Sequence, residues 1–272
     1  MLMAGAPIRL LVSDIDGTLV RRDKSLPDQN VAAIRDAAAR GLKISLISAR
    51  PEAGMVEIAA RLGLSGPMGA FNGGVIFSPG ITAEAGAFVP AELAARLVAL
   101  YAKAGVTLWL FHTDHWFTSR IDDPHTAREV LSSGLQPEPR EDFSGLLGQA
   151  AKIVAVCDDP ALMDRLEGEA RTLVGQSATL VRSQDYYLDC TALAANKGDG
   201  VAALAKLYGV PLEQVAVIGD QGNDVAMFKV AGLAIAMGQA RDAVKAEADE
   251  VTDSNEDAGV AAAIERFILP RI

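Results

Sequence analysis

A largely apolar run, Ile8 to Val12, leads directly into Asp14-Ile15-Asp16-Gly17-Thr18. Such a run reads as a buried parallel strand, and the turn after it presents two carboxylates, two residues apart, above the sheet. There one carboxylate can attack an electrophile while its neighbour moves protons and a cation screens the charge. Far downstream a second apolar run, Val215 to Ile218, leads into Gly219-Asp220-Gln221-Gly222-Asn223-Asp224. Two acidic clusters at strand ends are the arrangement expected for a divalent cation held between phosphate and protein.

The pattern between these clusters sets the fold class. A helix starts near Ser25-Leu26-Pro27-Asp28, where Pro loses no helix bond and Asp28 suits the positive end of the dipole. Val31, Ile34 and Ala38 give it an apolar face, and Gly41 ends it. A strand over Lys43 to Ile47, Ser48-Ala49-Arg50-Pro51 and a helix to about Leu62 follow. Strand–helix–strand–helix is the signature of a parallel sheet with right-handed crossovers. Asn72-Gly73 then signals a hairpin. From about 83 to 188 paired strands mix with helices, which predicts a compact α+β insert. Its strands include Thr107 to Phe111, Trp116 to Ser119 and Lys152 to Val156, with Pro137-Glu138-Pro139 as a loop. After it the alternation resumes: a helix from Lys197, the strand at Val215, a helix over Asn223 to Val230, a strand over Leu233 to Ala236 and an edge strand at Glu250-Val251. An amphipathic helix over Asn255 to Ile268, with Val260, Ile264 and Phe267 inward, closes the chain. The expected architecture is α/β: a doubly wound, Rossmann-like parallel-sheet core made of 1–82 and 189–272, interrupted by an α+β cap over 83–188.

Composition narrows the partners. With 35 acidic against 25 basic residues the formal charge is -10, which argues against nonspecific binding to nucleic acid or an anionic membrane. Half of the 272 residues are apolar, yet no uninterrupted apolar stretch reaches the ~18 residues of a membrane span. The first residues lack the basic region and cleavage site of a signal peptide. Cys157 and Cys190 stand singly and read as buried free thiols of a reducing compartment. The expectation is a cytoplasmic enzyme with a small-molecule partner.

Phosphoryl transfer through a covalent intermediate requires a carboxylate nucleophile, an acid/base, a divalent cation, a hydroxyl donor and a fixed positive charge. Asp14 can be the nucleophile. Asp16 can protonate the leaving alkoxide and later take a proton from water. Asp220, alone or with Asp224, can hold Mg²⁺ against Asp14. Ser48, after the second strand, can bind a phosphate oxygen. Lys197 adds its charge at a helix N-terminus.

This ordered set resembles the haloacid dehalogenase superfamily, and within it the Cof-type phosphatases with a large C2-type cap. The resemblance rests on Asp14-Ile15-Asp16-Gly17-Thr18-Leu19, Ser48-Ala49-Arg50, Asn196-Lys197-Gly198 and Gly219-Asp220-Gln221-Gly222-Asn223-Asp224, with Met227, Asn72-Gly73 and the tail from Ala248 to Val260. It implies Asp14 as nucleophile and Mg²⁺ ligand, and Asp16 as general acid/base whose main-chain carbonyl is a ligand. It makes Asp220 a metal ligand and Asp224 a ligand or a group just behind one. The phosphoryl group would be bound by Ser48, the backbone of Ile15 and Ala49, Lys197 and Asn223. Where many relatives have Thr-Gly-Arg this chain has Ser48-Ala49-Arg50, which keeps the hydroxyl and leaves slightly less room at the backbone.

The expected function is a Mg²⁺-dependent phosphomonoesterase acting on a small phosphorylated metabolite, a sugar phosphate above others. Two alternatives share the site: a phosphomutase, disfavoured because the basic residues of the cap are scattered, and a noncatalytic phosphate-ligand sensor, disfavoured because both Asp14 and Asp16 are present. His112, His115 and Trp116 fall at a cap hairpin, and Asp185-Tyr186 just before the return to the core; His115 and Tyr186 are the cap's candidates for substrate contact. Trp109 and Tyr187 read as core.

Overall fold

The structure is a computed structural model that describes residues 6–81 and 86–272. The reading of residues 1–5 and the expected boundary at 82/83 lie outside the described residues. In chain order the strands are β1 (Leu10–Ser13), β2 (Lys43–Leu46), β3 (Met68–Ala70), β4 (Val75–Phe77), β5 (Thr107–His112), β6 (His115–Thr118), β7 (Pro137–Pro139), β8 (Lys152–Val156), β9 (Ala178–Gln184), β10 (Tyr187–Ala192), β11 (Val215–Gly219), β12 (Leu233–Ala236) and β13 (Glu250–Val251). The described residues form two compact units, one of 6–49, 55–81 and 196–272, the other of 50–54 and 86–195. The second boundary therefore falls at 195/196, not 188/189, because β10 is a full strand of the second unit's sheet and runs through Ala192.

The first unit is built on a five-stranded, all-parallel sheet in the order β13-β12-β11-β1-β2. Its central strands read Leu-Leu-Val-Ser and Val-Ala-Val-Ile-Gly and are buried throughout, as strands covered on both faces must be. On one face Leu10, Val12, Val215 and Val217 pack with Val201, Leu204 and Ala205 of the helix Lys197–Tyr208. The helix Asp28–Ala39 packs against the C-terminal helical segment. Its inward residues are Asn30, Ile34 and Ala37, and Ala38 is exposed, so the face is rotated from the expected one. Asn30 sets that rotation: its Nδ2 donates to Leu19 O and its Oδ1 accepts from Ala261 N–H, both at 2.9 Å. The closing helix is not one amphipathic unit. It runs as a short α segment, Gly259–Ala263, and a π turn, Ile264–Ile268, in which Phe267 is half-buried and Ile268 buried.

The second unit carries a six-stranded sheet in the order β7-β6-β5-β8-β10-β9. All pairs are antiparallel except β6–β7. Pro137-Glu138-Pro139, expected as a loop, is its short edge strand, the place in a sheet where proline is tolerated. Side chains alternate between its faces. One face, with Leu108, Leu110, Phe117, Ile153 and Leu188, packs on the helices Ala91–Ala104 and Pro160–Val174. By that alternation the other carries Trp109, Phe111, Trp116, Lys152, Tyr187 and Asp189. Trp109 stands edge-on to Trp116 at 4.9 Å and to Tyr187 at 5.1 Å. Cys190 is buried and its thiol is pushed up to about 12 by burial, whereas Cys157, expected buried, is only half so; both are free. No helix among the described residues is long and apolar enough to cross a membrane.

Candidate active site

The register of the parallel sheet brings three strand ends level. Ser13 pairs with Ile218 on one side and Leu46 on the other, so Asp14 and Asp220 directly follow their strands and Ser48 lies two residues past the end of β2. The chain leaves β1 toward β2 on one side and returns to β11 on the other, and such a switch point is where open parallel sheets bind ligands.

Asp14, Asp220 and Asp224 gather there, all buried, each offering a carboxylate oxygen within 4.8 Å of the others'. Lys197, 2% exposed, reaches from the first turn of its helix and donates to Asp14 Oδ1 and to Asp224 Oδ1, both at 2.5 Å. The Asn196 side chain caps that helix by accepting from Asp199 N–H at 3.0 Å, which fixes where Lys197 starts. The other oxygen of Asp224 accepts the N–H groups of Asp220 and Gln221, both at 2.8 Å, so this carboxylate ties the loop to the lysine. Asp220 accepts from Thr18 Oγ1 at 3.3 Å and from Gln221 Nε2 at 2.9 Å.

Glycines make room for this crowding. Gly17 has φ +82°, a left-handed backbone, and a Cβ there would collide with the Asp220 carboxylate. A Cβ on Gly219 would run into the Asp224 carboxyl.

The electrostatics follow from burial. Burial pushes Asp14 up to about 8, with the charges of Asp224 and Asp220 adding to the effect and Lys197 opposing it. Lys197 is shared between two carboxylates, so it compensates each only in part. Asp220 is pushed up to about 6 by burial and by the charge of Asp224. Burial alone would lower Lys197, but Asp14 and Asp224 outweigh it and hold the ammonium charged. With all three ionised, the carboxylates outnumber the one ammonium by two charges, and the raised pKa values of Asp14 and Asp220 register that imbalance. An oxygen donor set with that deficit suits a hard divalent cation such as Mg²⁺.

The remaining expected residues are placed as follows. The Asp16 side chain is not part of the acidic trio; it is partly exposed and paired with Lys24 at 2.6 Å. Ile15 is buried, and its carbonyl accepts from the N–H groups of Thr18, Leu19 and Val20, which curls the loop. Ser48 is buried at the sheet edge, its main chain fixed by Ser48 N–H to Gly69 O at 2.9 Å and Asn72 N–H to Ser48 O at 2.7 Å, and Ala49 is exposed. Asn223 is exposed and its Nδ2 donates to Asn72 Oδ1 at 3.1 Å. In the other unit, His115 is exposed on the β5–β6 hairpin with Nδ1 2.6 Å from Glu138 Oε1, a hydrogen bond that raises its pKa. Tyr186 stacks on His125 at 3.8 Å and its hydroxyl accepts from Arg128 at 2.8 Å. Trp109 and Tyr187 are buried, and so is Trp116 of the hairpin.

Thr18, Gln221 and Lys24 had no role in the sequence reading. Thr18 and Gln221 lie inside the two acidic motifs, so their place beside the carboxylates was available from spacing; Lys24 carried no signal.

The haloacid dehalogenase-like hydrolase family matches residues 11–264 of this chain. The chain belongs to that family. It is similar to a 5-amino-6-(5-phospho-D-ribitylamino)uracil phosphatase, YcsE, of Bacillus subtilis, 28% identical over 262 residues that span 96% of each protein. It is equally similar to the phosphatase YwpJ of Bacillus subtilis, 28% identical over 288 residues, 93% of this chain and 98% of that one. A crystal structure of a haloacid dehalogenase-like hydrolase from Bacteroides thetaiotaomicron superposes with a TM-score of 0.87 at 28% identity, over 95% of this chain and 99% of the other. The protein is thus an enzyme of the haloacid dehalogenase phosphatase type.

Proposed function

We propose that the protein is a Mg²⁺-dependent phosphomonoesterase that hydrolyses a small sugar or sugar-alcohol phosphate through a phosphoryl–Asp14 intermediate. The observation that carries this reading is the buried trio of Asp14, Asp220 and Asp224, three carboxyl groups with the single ammonium of Lys197 between two of them. The substrate class draws on the relative YcsE, whose name places the phosphate on a ribityl chain.

Asp14, Asp220 and the main-chain carbonyl of Asp16 would hold the cation. Asp224 accepts three donors, the Lys197 ammonium on one oxygen and two main-chain N–H groups on the other, against one on each oxygen of Asp220, which supports a holding role for Asp224 over direct ligation. When bound, Mg²⁺ neutralises the phosphoryl oxygens and keeps the carboxylates ionised.

The chain's own groups do the rest. Asp14 attacks phosphorus and forms an O–P bond as the ester O–P bond breaks. Asp16 gives its proton to the leaving oxygen. It then takes a proton from the water that attacks phosphorus, and Asp14 leaves. The Ser48 hydroxyl and the N–H groups of Ile15 and Ala49 donate to the phosphoryl oxygens, and the Asn223 amide braces them from the far loop. Lys197 holds Asp14 in line and supplies fixed positive charge.

The test uses p-nitrophenyl phosphate. Hydrolysis stops with excess EDTA and returns with Mg²⁺, and Asp14→Asn has no turnover and gains no phosphoryl mass. Full activity in EDTA, or near-normal turnover by Asp14→Asn, would overturn the reading.

A further inference from the structure

The loop after β1 carries a lysine that the steps above do not use. Lys24 Nζ lies 2.6 Å from Asp16 Oδ1. A tight turn presents it: Arg21 N–H donates to Ser25 O at 2.9 Å, Lys24 N–H to Arg21 O at 3.0 Å and Ser25 N–H to Asp23 Oδ1 at 2.9 Å. Lys24 itself has φ +69°, one of four non-glycine residues with positive φ among those described. A left-handed backbone costs a residue with a Cβ about 1–2 kcal/mol.

The fold gains little in return. The two side chains are 48% and 36% exposed, and an ion pair so open to water is worth only about 0–1 kcal/mol. A strained turn that ends in a weakly stabilising contact points to a task other than folding. The contact falls on the carboxyl whose orientation the proposed reaction needs twice, once as acid and once as base.

We propose that Lys24 is a positioning residue for Asp16, an inference that rests on the reading of Asp16 as the acid/base. Oδ1 accepts from the ammonium whether Asp16 is ionised or protonated. The ammonium therefore fixes the carboxyl plane and decides that Oδ2 is the oxygen that carries the proton. In the first step Oδ2–H gives its proton to the ester oxygen as the Asp14–phosphorus bond forms. In the second Oδ2 takes a proton from the attacking water as that bond breaks, and the lysine neither gains nor loses one. Lys24 touches neither phosphorus nor the leaving group; it acts through Asp16 alone.

That restriction makes the inference testable by a double-mutant cycle on the full chain with Mg²⁺. Turnover of phenyl phosphate and of p-nitrophenyl phosphate is measured for wild type, Lys24→Met, Lys24→Arg, Asp16→Asn and the Asp16→Asn/Lys24→Met double variant. Lys24→Met lowers kcat for phenyl phosphate, the poorer leaving group, by about tenfold with KM within about twofold. The loss on p-nitrophenyl phosphate is smaller, and Lys24→Arg restores most of the activity. In the Asp16→Asn background the same Lys24→Met change has less than about a twofold effect. Lys24→Gly, which relieves the left-handed backbone while deleting the ammonium, behaves as Lys24→Met and covers the case in which that variant fails to fold. An undiminished loss in the Asp16→Asn background, or no loss in the wild-type background, overturns the positioning role alone. Wild-type turnover by Asp16→Asn overturns the reading of Asp16 and this inference with it.

Discussion

The two sheets of this enzyme treat buried polar groups in opposite ways. At the ends of the parallel strands every charged group is held by another: Lys197 by Asp14 and Asp224, Asp224 by two main-chain N–H groups, Asp220 by Thr18 and Gln221. On the aromatic face of the cap sheet, Trp109 Nε1, Trp116 Nε1, Tyr187 OH and Asp189 Oδ1 are buried and make no hydrogen bond within the protein. The first arrangement fixes a charge pattern, so no member can change without unbalancing the rest. The second is fixed by ring packing, with its polar atoms carried along. Under the proposed function, chemistry common to all substrates belongs to the first unit and choice among substrates to the second.

The largest expected effect tests the interlocked side. Lys197→Ala should lower kcat by about 10²–10³-fold for every phosphomonoester alike. It should also destabilise the fold by about 3–5 kcal/mol in urea titrations, because two buried carboxylates lose their counter-charge. A loss confined to some substrates would break the division of labour.

Next comes pH. Asp14 and Asp220 sit above their unfolded value of 3.8, at about 8 and about 6, so between those limits the folded chain binds more protons than the unfolded one. Their contribution to stability is then fully present below about pH 4 and is lost as pH rises through about 6 and about 8. Measured without divalent cation, the stability of Asp220→Asn relative to wild type should rise over that window, and Mg²⁺ should shrink the gap by stabilising only wild type. A gap independent of pH would show the carboxylates to be less desolvated than the geometry implies.

On the cap side, His115→Ala or Tyr186→Ala should change the ratio of sugar phosphate to p-nitrophenyl phosphate turnover by about tenfold, with p-nitrophenyl phosphate little affected. Equal slowing of all substrates would make both residues structural. The smallest effect sharpens the contrast. Tyr187→Phe removes a hydroxyl without a partner and should raise stability by about 1 kcal/mol, whereas a partnered hydroxyl costs about that much when deleted. A loss on Tyr187→Phe would mean that its hydroxyl is satisfied after all.

The same contrast explains what could be read from the sequence. The parallel strands announce themselves as short apolar runs, and a strand end dictates which residue emerges above the sheet. Asp14 and Asp220, which the structure brings together, were therefore legible from type and order, and Lys197 from its place at a helix start. Residues that act through side-chain reach were not. Asn30 reads as a polar helix residue, and only its bonds to Leu19 and Ala261 explain its burial. Lys24 reads as a loop lysine until the turn curls it onto Asp16. In the cap, alternation gave the strands within a residue or two at Thr107, Trp116 and Lys152. The prolines of β7 hid an edge strand, because proline argues against a strand except where no partner lies beyond it.

The place of β1 in the middle of its sheet has a consequence for how the enzyme is made. A ribosome delivers β1 first, and β2 soon covers one of its edges. The other edge must wait for β11, since Thr18 and Asp220 are 202 residues apart. All six strands of the second unit's sheet, β5 to β10, are synthesised in the interval, so that sheet can close on itself first. Until β11 emerges, the nascent chain holds an apolar strand with an unpaired edge and an Asp14 that lacks the second acidic loop. A chain that has not reached β11 therefore lacks the buried carboxylate trio, and the waiting edge is where a stalled chain would pair with the wrong neighbour.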